Sequence, residues 1–197
     1  MNNKALNLAA IVAATTVTAA QVARADSFRG TLVNVAGLDG RTLSVDLVRW
    51  STDAERDKVT AAVVKADAVK ADAAKGATAL LDVLKGMPTL GYVWTGESVG
   101  YQVRYAFKGT LPNGSERIIV ATDRPVGSYA LSPWKPAPPA SATDYAFTVI
   151  EMRLPKGGAG EAKTSLAAKI TTDAAAKTLA LDNYAGAPVI VKNVRRP

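Results

Sequence analysis

The sequence predicts a mainly β domain whose antiparallel sheet curves into a barrel. About eight or nine strand-like segments are joined mostly by short turns that contain Gly, Asn or Asp. One helical insertion, at about residues 52–86, follows the second strand. Because an antiparallel sheet of this size must protect its edges, it has to close into a barrel or double over. We expect a barrel-like, strongly curved sheet with the helices at one end or across one side, and a two-sheet sandwich is the alternative.

The composition excludes many familiar kinds of active site. The chain of 197 residues contains neither Cys nor His. It therefore has no disulfide, no thiolate nucleophile, no His-based triad, and no Cys or His ligands for zinc, haem or an iron–sulfur cluster. We expect no cofactor, and the composition favours binding over catalysis.

Residues 1–25 have the pattern of a Sec-type signal peptide. Lys4 precedes an apolar stretch, and Ala23-Arg24-Ala25 fits the small-x-small pattern of a cleavage site. We expect cleavage between Ala25 and Asp26, a periplasmic or secreted location, and no membrane-spanning segment after cleavage. The remainder, 26–197, is predicted to form a single β-rich domain.

The chain is basic, with a net charge of +7. A basic exported protein is attracted to anionic envelope components. Export removes the usual nucleic-acid partners, so we expect no nucleic-acid binding. The oligomeric state is not predicted.

The first two strands form a predicted hairpin. Residues 28–35 and 41–50 are strand-like, and Asp39-Gly40 between them suits a tight turn because glycine adopts positive φ readily. In the second segment apolar and polar residues alternate, which predicts a strand with one buried face.

Two helices are predicted in the insertion. Thr52 and Glu55 have the spacing of a capping box, in which each satisfies a backbone amide of the other. The helix continues through an Ala-rich stretch with two near-copies of Lys-Ala-Asp-Ala, and Gly76 is predicted to end it. A second, shorter helix carries leucines on one face and ends at Gly86.

The clearest alternation in the chain lies in the next strand. Tyr101, Val103, Tyr105 and Phe107 alternate with more polar residues, which predicts that these four share one inward face. They are candidates to line a ligand pocket inside a barrel. The alternative is that they fill a solid core.

The remaining strands are separated by glycine-containing turns. Asn113-Gly114 predicts a hairpin turn, and the apolar phase slips between Val149 and Ile150, which indicates a bulge or burial on both faces. The strands predicted after residue 110 are 116–121, 145–154, 161–171, 178–181 and 188–194.

Two features of the loop after residue 122 are candidate site elements. Asp123 beside Arg124 at a strand end could bind a polar ligand group, or form a turn in which the carboxylate accepts backbone amides. Trp134 stands on a Pro-rich stretch, where it could stack on a sugar, lid a barrel mouth, anchor a partner or plug the core.

Acid–base catalysis in this composition would rest on two carboxylates, as in glycoside hydrolysis, or on Lys and Tyr with shifted pKa values. The candidate acids on or near strands are Glu97, Asp123, Asp144, Glu151 and Asp182. The chain has no P-loop and no calcium-loop pattern, and no spacing indicates a metal site.

Several segments resemble a family of bacterial exported proteins that has no assigned activity. They are residues 49–56, 117–125, 147–154, 181–184 and 188–189. The resemblance covers nearly all of the predicted mature chain, and it implies no catalytic residue.

Three functions follow as hypotheses. The first is an exported, non-catalytic domain that binds a small apolar or amphiphilic ligand in a barrel pocket. The second is an envelope interaction module that uses Arg104, Lys108 and Trp134 to bind an anionic polymer or protein. The third is a carboxylate-dependent hydrolase.

Overall fold

The computed structural model describes residues 26–68, 73–131 and 133–197. The predicted signal peptide and the middle of the Lys-Ala-Asp-Ala stretch lie outside these ranges. Neither of the two helices among the described residues is long and apolar enough to cross a membrane.

Eight antiparallel strands close into a barrel, as the turn pattern predicted. The order around the barrel is β1-β10-β7-β6-β5-β4-β3-β2, and β2 pairs again with β1. Strands β8 and β9 form a separate hairpin. In chain order the elements are β1 (Asp26–Leu32), β2 (Thr42–Leu47), α1 (Asp53–Ala68), α2 (Ala73–Lys85), β3 (Gly91–Trp94), β4 (Tyr101–Thr110), β5 (Glu116–Thr122), β6 (Val149–Leu154), β7 (Gly160–Thr164), β8 (Ile170–Asp173), β9 (Thr178–Leu181) and β10 (Val191–Arg195).

The barrel interior is tightly filled along most of its length. Leu43, Val45 and Leu47 of β2 point inward and are buried, while the residues between them are more exposed. Gly30 is needed where β1 meets β10, because a Cβ at this position would lie 2.5 Å from a Val191 methyl. Most of the interior is therefore a side-chain core of the kind that small barrels require.

A second apolar core lies outside the barrel wall. The two helices and the β8–β9 hairpin cover the outer faces of β4, β5 and β6. The apparent phase slip between Val149 and Ile150 has its origin here, because Ile150 points into the barrel and Val149 into the outer core. The β5–β6 register is continuous at this point, so the explanation is burial on both faces. The helices pack across one side, as expected.

The capping box at the start of α1 is confirmed. The Thr52 amide donates to Glu55 Oε2 at 2.8 Å, and the Glu55 amide donates to Thr52 Oγ1 at 3.3 Å. The prediction that Gly76 ends this helix is wrong, because this residue lies inside α2. A glycine inside a helix costs only about 1 kcal/mol relative to alanine, and burial of Leu80 and Leu84 of α2 offsets that cost.

A β-bulge overturns the predicted aromatic face of β4. Val103 pairs with Thr122, but Tyr105 already pairs with Ala121, so Arg104 is an extra residue in the ladder. Such an insertion reverses the side-chain alternation beyond it. Tyr101 and Val103 therefore point into the barrel, whereas Tyr105 and Phe107 belong to the outer core. The expectation that the four share one inward face is wrong.

Candidate functional site

A long loop between β5 and β6 covers one end of the barrel. This mouth loop comprises residues 123–148, of which 132 is outside the described part. It is tied to the β1–β2 turn by two backbone hydrogen bonds, from the Ala36 amide to the Lys135 carbonyl at 3.0 Å and from the Ala137 amide to the Asn34 carbonyl at 2.8 Å. The Pro-rich stretch thus lies across the mouth and holds Trp134 over it.

A cavity of about 340 Å³ lies between the mouth loop and the barrel interior. Leu43 and Ile150 contribute barrel side chains to it, and Val126 and Trp134 contribute loop side chains. Its polar lining includes Thr148, Thr164 and Ser165. The volume is in the lower part of the range for small-molecule sites, roughly 300 to 1,000 Å³. We call it the mouth cavity.

The position of Trp134 depends on a glycine. Gly127 has a φ of +89°, and an added Cβ would lie 2.5 Å from Trp134 Nε1 and closer still to other atoms of the indole ring. The ring therefore packs directly on the Gly127 backbone.

The Nε1 group of Trp134 is buried and has no hydrogen-bond partner among the described residues. A buried donor that is left unpaired costs about 1 to 3 kcal/mol. Trp134 is one of the residues that line the mouth cavity, so this indole N–H is an unsatisfied polar group beside it.

Three hydroxyl groups of the cavity lining have a common pattern of hydrogen bonds. Thr148 Oγ1 accepts from the Val126 amide at 2.9 Å, Thr164 Oγ1 accepts from the Leu166 amide at 3.2 Å, and Ser165 Oγ accepts from the Val149 amide at 2.9 Å. Within the described part of the chain, no acceptor is recorded for their hydroxyl hydrogens. Because a hydroxyl can accept and donate at once, each retains a hydrogen to donate.

Tyr101 supports the mouth loop without lining the cavity. Its hydroxyl donates to Glu97 Oε2 at 2.5 Å and accepts from the Tyr129 amide at 3.1 Å. Burial, followed by the hydrogen bond to Glu97, raises the pKa of Tyr101 to about 12. The phenol therefore stays protonated at neutral pH. Val103 belongs to the barrel core and does not line the cavity either.

Tyr105 and Phe107 lie away from the mouth cavity. The Tyr105 hydroxyl is 2.6 Å from Thr178 Oγ1 of β9, and burial raises the Tyr105 pKa. The Arg56 guanidinium lies over the Phe107 ring, 5.5 Å from its centroid. Both residues join the barrel wall to the elements that cover it.

Asp123 and Arg124 anchor the first residues of the mouth loop. Asp123 is buried and accepts from Arg104 Nε at 2.9 Å and from Arg124 Nε at 3.4 Å. The Arg124 guanidinium also lies 5.2 Å from the centre of the Tyr129 ring. The bulge residue Arg104 thus reaches the carboxylate from the neighbouring strand, and the predicted strand-end pair forms part of an ion-pair cluster.

Most candidate acids of the hydrolase hypothesis are already engaged. Glu151 is 0% exposed and accepts from Arg117 and Arg153, and Glu97 accepts from Tyr101. Asp144 lines the mouth cavity, whereas Asp182 lines a different surface cavity. In the ranges that the structure describes, no three acidic side chains are grouped to hold a metal ion.

The cations of the envelope hypothesis are also paired. Arg104 is bound to Asp123, and Lys108 Nζ lies 3.0 Å from a Glu116 carboxylate oxygen. Trp134 lines the mouth cavity instead of standing free on the surface. Both cations named in this hypothesis therefore take part in ion pairs.

The sequence did not single out the three hydroxyl residues of the cavity lining, Thr148, Thr164 and Ser165. Thr148 directly precedes β6, and Thr164 is the last residue of β7. Period-2 alternation, continued along these two strands, places both side chains on the inward face, and this was the signal that could have identified them. Gly127 could be noted only as a residue of a turn. Its contact with Trp134 joins positions that no local pattern connects.

Comparisons with known proteins add no assignment. No protein-family model, curated protein or solved structure matches the chain. The mouth cavity therefore carries the functional argument.

Proposed function

We propose that this protein is an exported, non-catalytic binding domain that holds a small apolar or amphiphilic ligand in the mouth cavity. The observation that carries the proposal is a cavity of about 340 Å³ between the filled barrel and the mouth loop. The paired state of most candidate acids favours binding over hydrolysis.

The size of the cavity limits the ligand. At roughly 30 Å³ per non-hydrogen atom, taken from the volume that a water molecule occupies in the liquid, the cavity accommodates about 11 atoms. Its apolar lining, including Leu43, Val126 and Ile150, favours a hydrocarbon body. Transfer of that body from water supplies about 25 cal/mol per Å² of apolar surface buried.

Calorimetric titration with butylbenzene tests the proposal. This probe has an apolar body of about the right size, and we expect measurable binding to the wild-type protein. Val126→Phe places a larger side chain in the cavity lining, so the affinity should fall by about fivefold or more. Val99→Phe is the matched control, because Val99 is exposed and lies outside the cavity lining. Equal binding by both variants, or no binding by the wild type, contradicts the proposal.

A further inference from the structure

We infer that the ligand of the mouth cavity carries a neutral hydrogen-bond acceptor, such as a ketone, ester or amide carbonyl, which pairs with the Trp134 indole N–H. This inference rests on the proposed function and specifies the chemistry of its ligand. It identifies Trp134 as a specificity-determining residue.

Hydrogen-bond donors and acceptors around the cavity are not balanced. Trp134 Nε1–H can only donate, and it is buried without a partner among the described residues. The oxygens of Thr148, Thr164 and Ser165 already accept backbone amides, so these groups also have hydrogens to offer. A purely hydrocarbon ligand would leave the buried indole N–H unpaired. A ligand with an acceptor would satisfy it.

The charges that line the cavity disfavour an anionic ligand. Asp144 is the charged residue that lines the cavity, and the described lining contains no Lys or Arg. A carboxylate ligand would lose hydration without gaining a cation, and it would face the Asp144 carboxylate. A neutral carbonyl avoids both costs. The donors therefore favour an acceptor, and the charges favour one that is uncharged.

The indole of Trp134 is held in a fixed position. Trp134 Nε1 lies against Gly127, and both residues line the cavity. The mouth loop is fixed directly after Trp134 by backbone hydrogen bonds at Lys135 and Ala137. The donor is therefore held in place before the ligand arrives, which limits the ordering cost of binding.

The test compares three probes of similar size by calorimetry: butyrophenone, butylbenzene and para-propylbenzoate. We expect the ketone to bind the wild-type protein about tenfold more tightly than the hydrocarbon, the factor typical of one buried hydrogen bond. The carboxylate should bind most weakly. In Trp134→Phe, which keeps an aromatic ring without the N–H, the preference for the ketone should fall to within about twofold. Trp94→Phe, on the outer face of the barrel, should retain it.

Indole N–H signals in a proton–nitrogen NMR spectrum give a readout that needs no folded variant. Trp50 Nε1 donates to Asp26 Oδ2 at 3.2 Å and serves as an internal reference. The Trp134 signal should shift far more with butyrophenone than with butylbenzene. Equal shifts, or an unchanged ketone preference in Trp134→Phe, overturn the inference while leaving apolar binding intact. Tightest binding of the carboxylate also overturns it. Failure of all three probes to bind refutes the proposed function itself.

Discussion

Replacement of Gly127 by alanine tests how the mouth cavity is built. Gly127 has a φ of +89°, where an alanine is strained, and its added Cβ would lie 2.5 Å from Trp134 Nε1. Two effects therefore combine in this variant. The backbone is strained, and the indole is displaced from the position in which it lines the cavity.

The geometry gives the size of each effect. The left-handed backbone conformation costs a residue with a Cβ about 1 to 2 kcal/mol. Non-bonded heavy atoms normally lie about 3.5 to 4.0 Å apart. The Trp134 ring atoms nearest the added Cβ lie closer to it than Nε1 does, so the ring must move by about 1.5 to 2 Å. Overpacking of this kind adds about 1 to 3 kcal/mol. Gly127→Ala should therefore lower the free energy of unfolding by about 2 to 5 kcal/mol.

A matched glycine separates the two effects. Gly96 has a φ of +88°, but an added Cβ there meets no described atom within 4 Å. Gly96→Ala should show only the backbone cost. Urea unfolding of both variants, followed by circular dichroism, measures the difference, and butyrophenone titration measures the cavity. If Gly127→Ala is no less stable than Gly96→Ala, or binds the ketone as tightly as the wild type, the assigned contact with Trp134 is wrong.

Two further predictions concern ion pairs. Glu151→Ala leaves the buried Arg117 without its bidentate partner. The free energy of unfolding, measured in urea at pH 7, should therefore fall by about 3 to 5 kcal/mol. A fall of less than about 1 kcal/mol would show that the network contributes little. Hydrogen bonds from Arg49 lower the pKa of Glu55 to about 2 from its usual 4.5, so this stabilisation is complete above pH 4.5 and is lost as the pH falls toward 2. With allowance for solvent screening at the half-exposed Arg49, Glu55→Gln should cost about 1 to 2 kcal/mol at pH 7, and a cost that persists at pH 2 would contradict the assignment.

Much of the fold could be predicted because its signals are local. The Thr52–Glu55 capping box and the Asn113-Gly114 turn each depend on residues within a few positions of one another. The alternation of β2 likewise reports a buried face directly. The number of strands and the need to protect their edges left a barrel or a two-sheet sandwich, and the structure has the closed barrel.

The bulge at Arg104 could not be predicted from its own segment. Alternation through Tyr101, Val103, Tyr105 and Phe107 is uninterrupted in the sequence, and the extra residue becomes visible only when β4 is paired with β5. Apolar residues beyond the bulge remain buried because the helices and the β8–β9 hairpin cover that side of the barrel. Tyr101 and Val103 face the barrel core, and Tyr105 and Phe107 face the outer core. In the sequence, these two buried faces together look like one continuous buried face.

The candidate site was predictable only in part. For Trp134 on its Pro-rich stretch, the sequence left open a lid over a barrel mouth, a plug of the core, or a contact with a sugar or a partner. In the structure Trp134 lines the mouth cavity. The cavity beneath it is formed by residues far apart in the chain, including Leu43, Val126 and Ser165. Side-chain packing across such distances has no periodic signal in a single sequence.

The most direct test of the central claim is native mass spectrometry of the protein purified from the cells that produce it. We predict a retained neutral ligand with a mainly hydrocarbon body, at clearly lower occupancy in Val126→Phe than in Val99→Phe. A wild-type protein that retains no ligand and takes up neither butylbenzene nor butyrophenone would contradict the claim that the mouth cavity is a binding site.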